Sequence, residues 1–347
     1  MLRLGKQAFG AFVCVASLAT ADMVLSASPQ TAPAKDLGSS YKMLPDWGRQ
    51  LPDGRIWGST NSIDMDPDGV HVWALDRCGP PGCAKSMADP VLKFDASGKV
   101  VKHFGGGLMI TPHGLTVDKG GNVWVTDYAV DEAAKKGGQV FKFSPEGKLL
   151  LTLGTAGVSA DGPDTFISPS DVAVAPNGSV FVADGHDFVK TLVARIVVFS
   201  PDGKFIRQFA KYGAGPGEIN DPHSIAFDSK GRLFVADRAN NRIQIFDQDG
   251  KSLAMWKQFG RPSGLAIDKN DVLYATDPES TDQPIRGHNP GFRHMVWIGS
   301  AATGQVTGTL IDPPFQDAEG IAVDTAGNIY GAEVRSKTRG IHKYLKQ

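Results

Sequence analysis

The chain has 347 residues, with 36 Lys and Arg against 37 Asp and Glu, for a formal charge of −1. That balance excludes the electrostatic footprint of a nucleic-acid binder or of a protein held on an anionic membrane surface. Composition is 41% hydrophobic with 41 Gly and 22 Pro, which describes a globular chain with many tight turns.

Arg3 and Lys6 precede the apolar run AFGAFVCVASLA, which is too short to span a bilayer, and Ala19-Thr20-Ala21 follows it. The pattern predicts a signal peptide over 1–21, cleaved after Ala21, and hence an exported, periplasmic or secreted protein. Residues 22–38, rich in Ser, Ala and Pro, are expected to be a disordered leader. After cleavage two cysteines remain, Cys78 and Cys83 in RCGPPGC. In an exported chain this spacing predicts a local disulfide.

From residue 60 one unit recurs: TNSIDMDPDGVHVWALDR (60–77), PHGLTVDKGGNVWVTDY (112–128), PSDVAVAPNGSVFVADG (169–185), PHSIAFDSKGRLFVADR (222–238), PSGLAIDKNDVLYATDP (262–278) and AEGIAVDTAGNIYGAEV (318–334). Each copy reads as two half-buried strands joined by a turn. A third strand such as RIQIFDQDGK and a fourth such as SLAMWKQFG follow most copies. Six copies of four strands without helical periodicity predict an all-β fold, a six-bladed β-propeller occupying 39–347 as one domain. The last copy lacks a fourth strand, and YKMLPDWGRQLP (41–52) resembles one with no copy before it. This N-terminal strand is expected to close the ring and cover a sheet edge.

The residue before each first strand and the residue after each second strand should emerge on one face. The first set is Asn61, His113, Ser170, His223, Ser263 and Glu319. His113, His223 and Glu319 fall on alternate blades, and two His plus a carboxylate is an open ligand set for zinc, with iron(II) as the alternative. Each His could equally pack against a neighbouring carbonyl, and Glu319 could pair with an Arg. The second set includes Arg77, Tyr128 and Arg238. Two arginines beside a cationic metal suggest a small anionic ligand held by its carboxylate; the alternative is an Arg–Asp surface pair.

PHGLTVDKGGNVWVTD, DVAVAPNGSVFVADGH and PHSIAFDSKGRLFVADRANNRIQIF resemble the lyase domain of the peptidylglycine α-amidating enzymes, built on NHL repeats; the NHL resemblance covers 55–345. The resemblance implies a propeller that cleaves a peptidyl-α-hydroxyglycine to an amide and glyoxylate, with zinc on three His, two arginines, a tyrosine and a structural calcium. His113 and His223 match two zinc ligands, and Arg77 and Arg238 match the arginines. Glu319 stands where the third His would be, Gly320 replaces a calcium-ligating Asp, and His186 replaces the tyrosine. The expected chemistry is a metal on His113, His223 and Glu319, a carboxylate held by Arg77 and Arg238, and a proton moved by His186 or Tyr128. A non-catalytic NHL propeller binding a small anion or a protein partner is the alternative. A calcium-dependent lactonase-type propeller would want a carboxylate-rich channel, to which the ring contributes only Glu319. The insertion at 278–299 carries Arg286, His288, Arg293 and His294 and should rise beside the site, whereas AVDEAAKKGG (129–138) reads as a solvated loop.

Overall fold

The computed structural model describes residues 1, 35–80, 82–186, 192–310, 317–335 and 340–347. The expected signal peptide and most of the expected leader lie outside the described residues. Six four-stranded antiparallel sheets form the blades. Their first strands are Thr60–Met65, Pro112–Val117, Pro169–Val174, Pro222–Phe227, Leu265–Ile267 and Ala318–Val323, and all six line a central cavity. The second strands are Val72–Asp76, Val123–Asp131, Val180–Asp184, Leu233–Asp237, Val272–Asp277 and Ile329–Glu333. Among the described residues there is no α-helix, only three-residue 3-10 turns.

Closure follows the expected route. Tyr41–Leu44 pairs antiparallel with Gly340–Lys346, so the N-terminal strand becomes the outer strand of the last blade. Trp47, Leu51 and Trp57 then seal the seam between the sixth and first blades, packed with Tyr330, Ile341 and Phe94. Within the expected leader, Lys35–Asp36 pairs parallel with Gly308 and Thr309 of the fifth blade, and the Leu37 N–H donates to Thr309 O at 2.8 Å.

The second strands are buried on both faces rather than half-buried. In Leu233–Asp237 every residue is buried, including Phe234 and Ala236 between the apolar positions of the alternation. Each blade is sandwiched between two others, so its inner strands read as near-continuous apolar runs. One core cluster joins Phe234, Ile243 and Trp256 of the fourth blade to Leu273, Ala275 and Val306 of the fifth. The outer strands face water, as in Phe205–Phe209, where alternation returns. The insert at 129–138 is an extended hairpin rather than a loop, because Val123–Asp131 and Lys136–Phe143 stay paired out to Asp131 and Lys136.

Candidate functional site

The ring of residues at the head of the first strands is set by bulges. Between the first and second strands the register shifts at Thr60/Ser62, Pro112/Leu115, Pro169/Asp171, Pro222/Ile225 and Ala318/Gly320. A bulge interrupts the alternation of the pleat and re-aims a side chain. The Gly114 N–H, freed from the ladder, donates to Thr126 Oγ1 at 2.8 Å, and that of Gly264 donates to Thr276 Oγ1 at 2.8 Å. The Asp near the end of the second strand then holds the segment ahead of the bulge. Asp76 accepts from the Gly58 N–H at 2.6 Å, Asp127 from Ile110 and Thr111 at 2.8 and 2.6 Å, Asp184 from Ser168 at 2.7 Å and Asp237 from Asn220 at 2.6 Å.

These supports bring His113, His186 and His223 together. One ring nitrogen from each lies within 4.8 Å of the others, and no other such grouping of His, Cys, Asp or Glu occurs among the described residues. His113 Nδ1 donates to Ser170 O at 2.8 Å and His223 Nδ1 to Ser263 O at 3.1 Å. The Nε2 atoms of both rings are left as acceptors, buried without a hydrogen-bond partner. His186 Nδ1 lies 2.8 Å from Asp221 Oδ1. Burial, reinforced by the neighbouring cationic groups, pushes His113 well below its ordinary value, and burial with Arg238 takes His223 down to about 4. Both imidazoles are therefore neutral at physiological pH, the form that ligates metals. Three converging imidazoles, two of them with an orphaned Nε2, fit a divalent transition metal.

The grouping differs from the expected His113, His223 and Glu319. His186, from the intervening third blade, takes the third place. Gly185 permits this: it sits at φ 112°, and a Cβ there would collide with Val193 O. Glu319 stands at the edge of the trio, its Oε2 3.5 Å from His223 Nε2 and bonded by Asn61 Nδ2 at 2.5 Å. Although burial opposes it, the His223 and Arg238 contacts hold the Glu319 carboxyl well below the usual range.

Tyr128 sets its ring edge-on to His113 and His186, with centroids at 5.4 and 5.3 Å. The Arg77 guanidinium lies 5.4 Å from the Tyr128 centroid, and its Nε donates to Pro112 O at 3.0 Å. Arg77 leads directly into the disulfide Cys78–Cys83. Such a bond fits an exported protein, and no helix among the described residues is long and apolar enough to cross a membrane. Arg238 is buried, with Nε and Nη2 each 2.9 Å from Asp221 Oδ2 and Nη1 3.6 Å from Glu319 Oε1. Every residue expected at the site thus joins one chain of contacts.

The insertion lies against the turn that follows Arg238. Asn241 Nδ2 donates to His288 O at 3.0 Å, while buried Arg261 donates to Arg238 O at 2.7 Å and pairs with Glu279 at 2.9 Å. Its own cations are engaged locally, Arg286 by Glu279 at 3.7 Å and Arg293 by Asp282 at 2.9 Å. Sequence reasoning missed Asp221, although an acid directly before Pro222-His223 was the available signal. It also missed Asp64 and Asp171, which join Glu319 in a channel cavity of about 590 Å³. These two fasten blades: Asp171 accepts from the Ile225 N–H at 2.9 Å and Asp64 from the Val117 N–H at 2.8 Å. Burial pushes them up to about 7 and about 6.

The NHL repeat family model matches residues 220–246. Peptidyl-glycine alpha-amidating monooxygenase B of Xenopus laevis is 33% identical over 312 residues, 82% of this chain and 33% of that protein. The probable peptidyl-alpha-hydroxyglycine alpha-amidating lyase of Caenorhabditis elegans is 36% identical over 206 residues, 54% of this chain and 55% of that one. The matches thus take in a third of the frog enzyme and about half of the nematode one. A solved gluconolactonase from Xanthomonas campestris shares the fold, with a TM-score of 0.60 at 14% identity, covering 94% of this chain and 99% of its own. The chain is thus a six-bladed β-propeller that carries an NHL repeat at 220–246 and resembles the peptidyl-α-hydroxyglycine α-amidating lyases.

Proposed function

We propose that this is an exported, metal-dependent carbon–nitrogen lyase that releases glyoxylate from an α-hydroxyglycine-type substrate. The observation that carries this reading is the convergence of His113, His186 and His223 beside Arg77, with two Nε2 atoms buried and unpartnered. Zinc is the metal that best suits three converging imidazoles, with iron(II) as the alternative, and Glu319 is near enough to His223 to add a carboxylate donor. When bound, such a metal supplies a Lewis acid for the substrate's oxygen. Arg77 takes the substrate carboxylate through its terminal nitrogens, since its Nε is held by Pro112 O. The α-hydroxyl loses its proton, its oxygen forms the carbonyl of glyoxylate, the C–N bond breaks, and the amide nitrogen takes up a proton. No oxidant is needed. Tyr128 serves the proton transfer, because it borders His113 and His186 while Nδ1 of His186 is occupied by Asp221.

The test is glyoxylate released from an N-acyl-α-hydroxyglycine by protein reconstituted with zinc. Release that disappears in the His113→Ala/His223→Ala double variant supports the reading. A metal-loaded, folded protein that releases none refutes it.

A further inference from the structure

The two arginines that sequence symmetry makes equivalent have different surroundings. The Arg238 side chain is 2% exposed and lies between two carboxylates, with Nε and Nη2 at 2.9 Å from Asp221 and Nη1 at 3.6 Å from Glu319. Its Nη2 also lies 3.4 Å from His186 Nδ1. Arg77 is half-buried, gives only its Nε to a carbonyl, and has no carboxylate at ion-pair distance among the described residues. A buried guanidinium already matched by two acids gains little from a third, whereas a partly exposed one with its terminal nitrogens uncommitted to any carboxylate is suited to grip a ligand.

Asp221 is the residue that separates the two roles. Its Oδ1 faces His186 Nδ1 at 2.8 Å and its Oδ2 accepts from Arg238, so both oxygens are engaged in one rigid arrangement. Despite the cost of burial, Arg238 and His186 hold its carboxyl well below the usual range. It adopts φ 55°, uncommon for a non-glycine residue, directly before Pro222-His223. Local strain of this kind persists where the surroundings over-determine it. A carboxylate on Nδ1 of a histidine fixes the tautomer and aims Nε2.

We propose, resting on the metal reading above, that Asp221 and Arg238 are positioning residues that recruit His186 into the metal trio, and that Arg77 alone anchors the substrate carboxylate. The site then has a single anion grip, on the side of Tyr128, and the second arginine serves the metal.

The experiment compares full-length wild type with Asp221→Asn, Arg238→Lys and Arg77→Gln. Zinc(II) affinity is measured by competition with a chelator, the cobalt(II)-loaded forms are compared by visible absorption, and KM and kcat are measured with an N-acyl-α-hydroxyglycine. Asparagine tolerates the left-handed backbone, so Asp221→Asn keeps the local chain path. Asp221→Asn is expected to weaken zinc binding by roughly 10- to 100-fold and to change the cobalt(II) spectrum. Arg238→Lys should weaken zinc binding too, while Arg77→Gln should keep zinc affinity and raise KM with kcat little changed. Zinc binding as tight in Asp221→Asn as in wild type overturns the inference. So does a KM raised by Arg238→Lys but not by Arg77→Gln, a comparison that decides even where Asp221→Asn does not fold. Wild type that binds no zinc overturns the metal reading of the site together with this inference; zinc bound to wild type without response to Asp221→Asn overturns this inference alone.

Discussion

Asp127 offers a test of how the repeat holds the site, because two physical effects act on it with opposite sign. Its carboxylate accepts from the N–H groups of Ile110 and Thr111, just ahead of Pro112-His113. Burial nevertheless pushes it from 3.8 to about 6, outweighing both donors. That rise corresponds to about 3 kcal/mol. Because the folded value is the higher one, this stability is fully present below about pH 4 and is lost as pH rises through about 6. Asp127→Asn cannot ionise and retains a carbonyl for both donors. Its stability relative to wild type should therefore improve by about 3 kcal/mol between roughly pH 4 and pH 8. Asp127→Ala instead orphans two buried N–H groups at about 1–3 kcal/mol each, so it should lose about 2–6 kcal/mol at the acid end and less at the alkaline end. Urea unfolding of the three proteins at both pH values reads these differences directly. If the gap between Asn and wild type is the same at both ends, burial of the carboxylate is not what sets its energetics.

Other outcomes follow from the same structure. Elemental analysis of purified protein should find about one zinc or iron per chain, lost in His113→Ala/His223→Ala, because both imidazoles present unpartnered Nε2 atoms. Cys78→Ser/Cys83→Ser removes the constraint on the loop after Arg77 and should cost about 2 kcal/mol by chain entropy for so short a loop, read as a lower urea midpoint. Trp57→Ala should cost about 3–5 kcal/mol, measured in the same way. That indole is 5% exposed, stacks on Phe94 at 5.9 Å, and donates to Gly48 O at 3.0 Å across the closing seam.

The blades were legible because each is a local pattern: alternating apolar residues, an Asp-Gly or Asn-Gly type of turn, and a fixed place for the Pro-His pair. Spacing alone brought Arg77, Tyr128, His113, His223, Arg238 and Glu319 to one face, and the structure gathers them there. Burial of the second strands on both faces was less legible, since Phe234 and Ala236 sit at positions that alternation alone assigns to solvent. The insertion's arginines looked free in sequence, yet Glu279 and Asp282 lie within reach of them in the folded loop.

The sequence by itself determined that six similar sheets close into a ring, because periodicity and turn chemistry act over a few residues and repeat. It also determined which positions point to the axis. Only the tertiary structure decided which side chains meet there. His186 reaches Asp221 across 35 positions, and Asn61 reaches Glu319 across 258. Those pairings depend on the bulges at the heads of five of the first strands, the φ of Gly185 and the way neighbouring blades pack. It is there that His113, His186 and His223 come within 4.8 Å of one another, and no local pattern in the chain carries distances of that size.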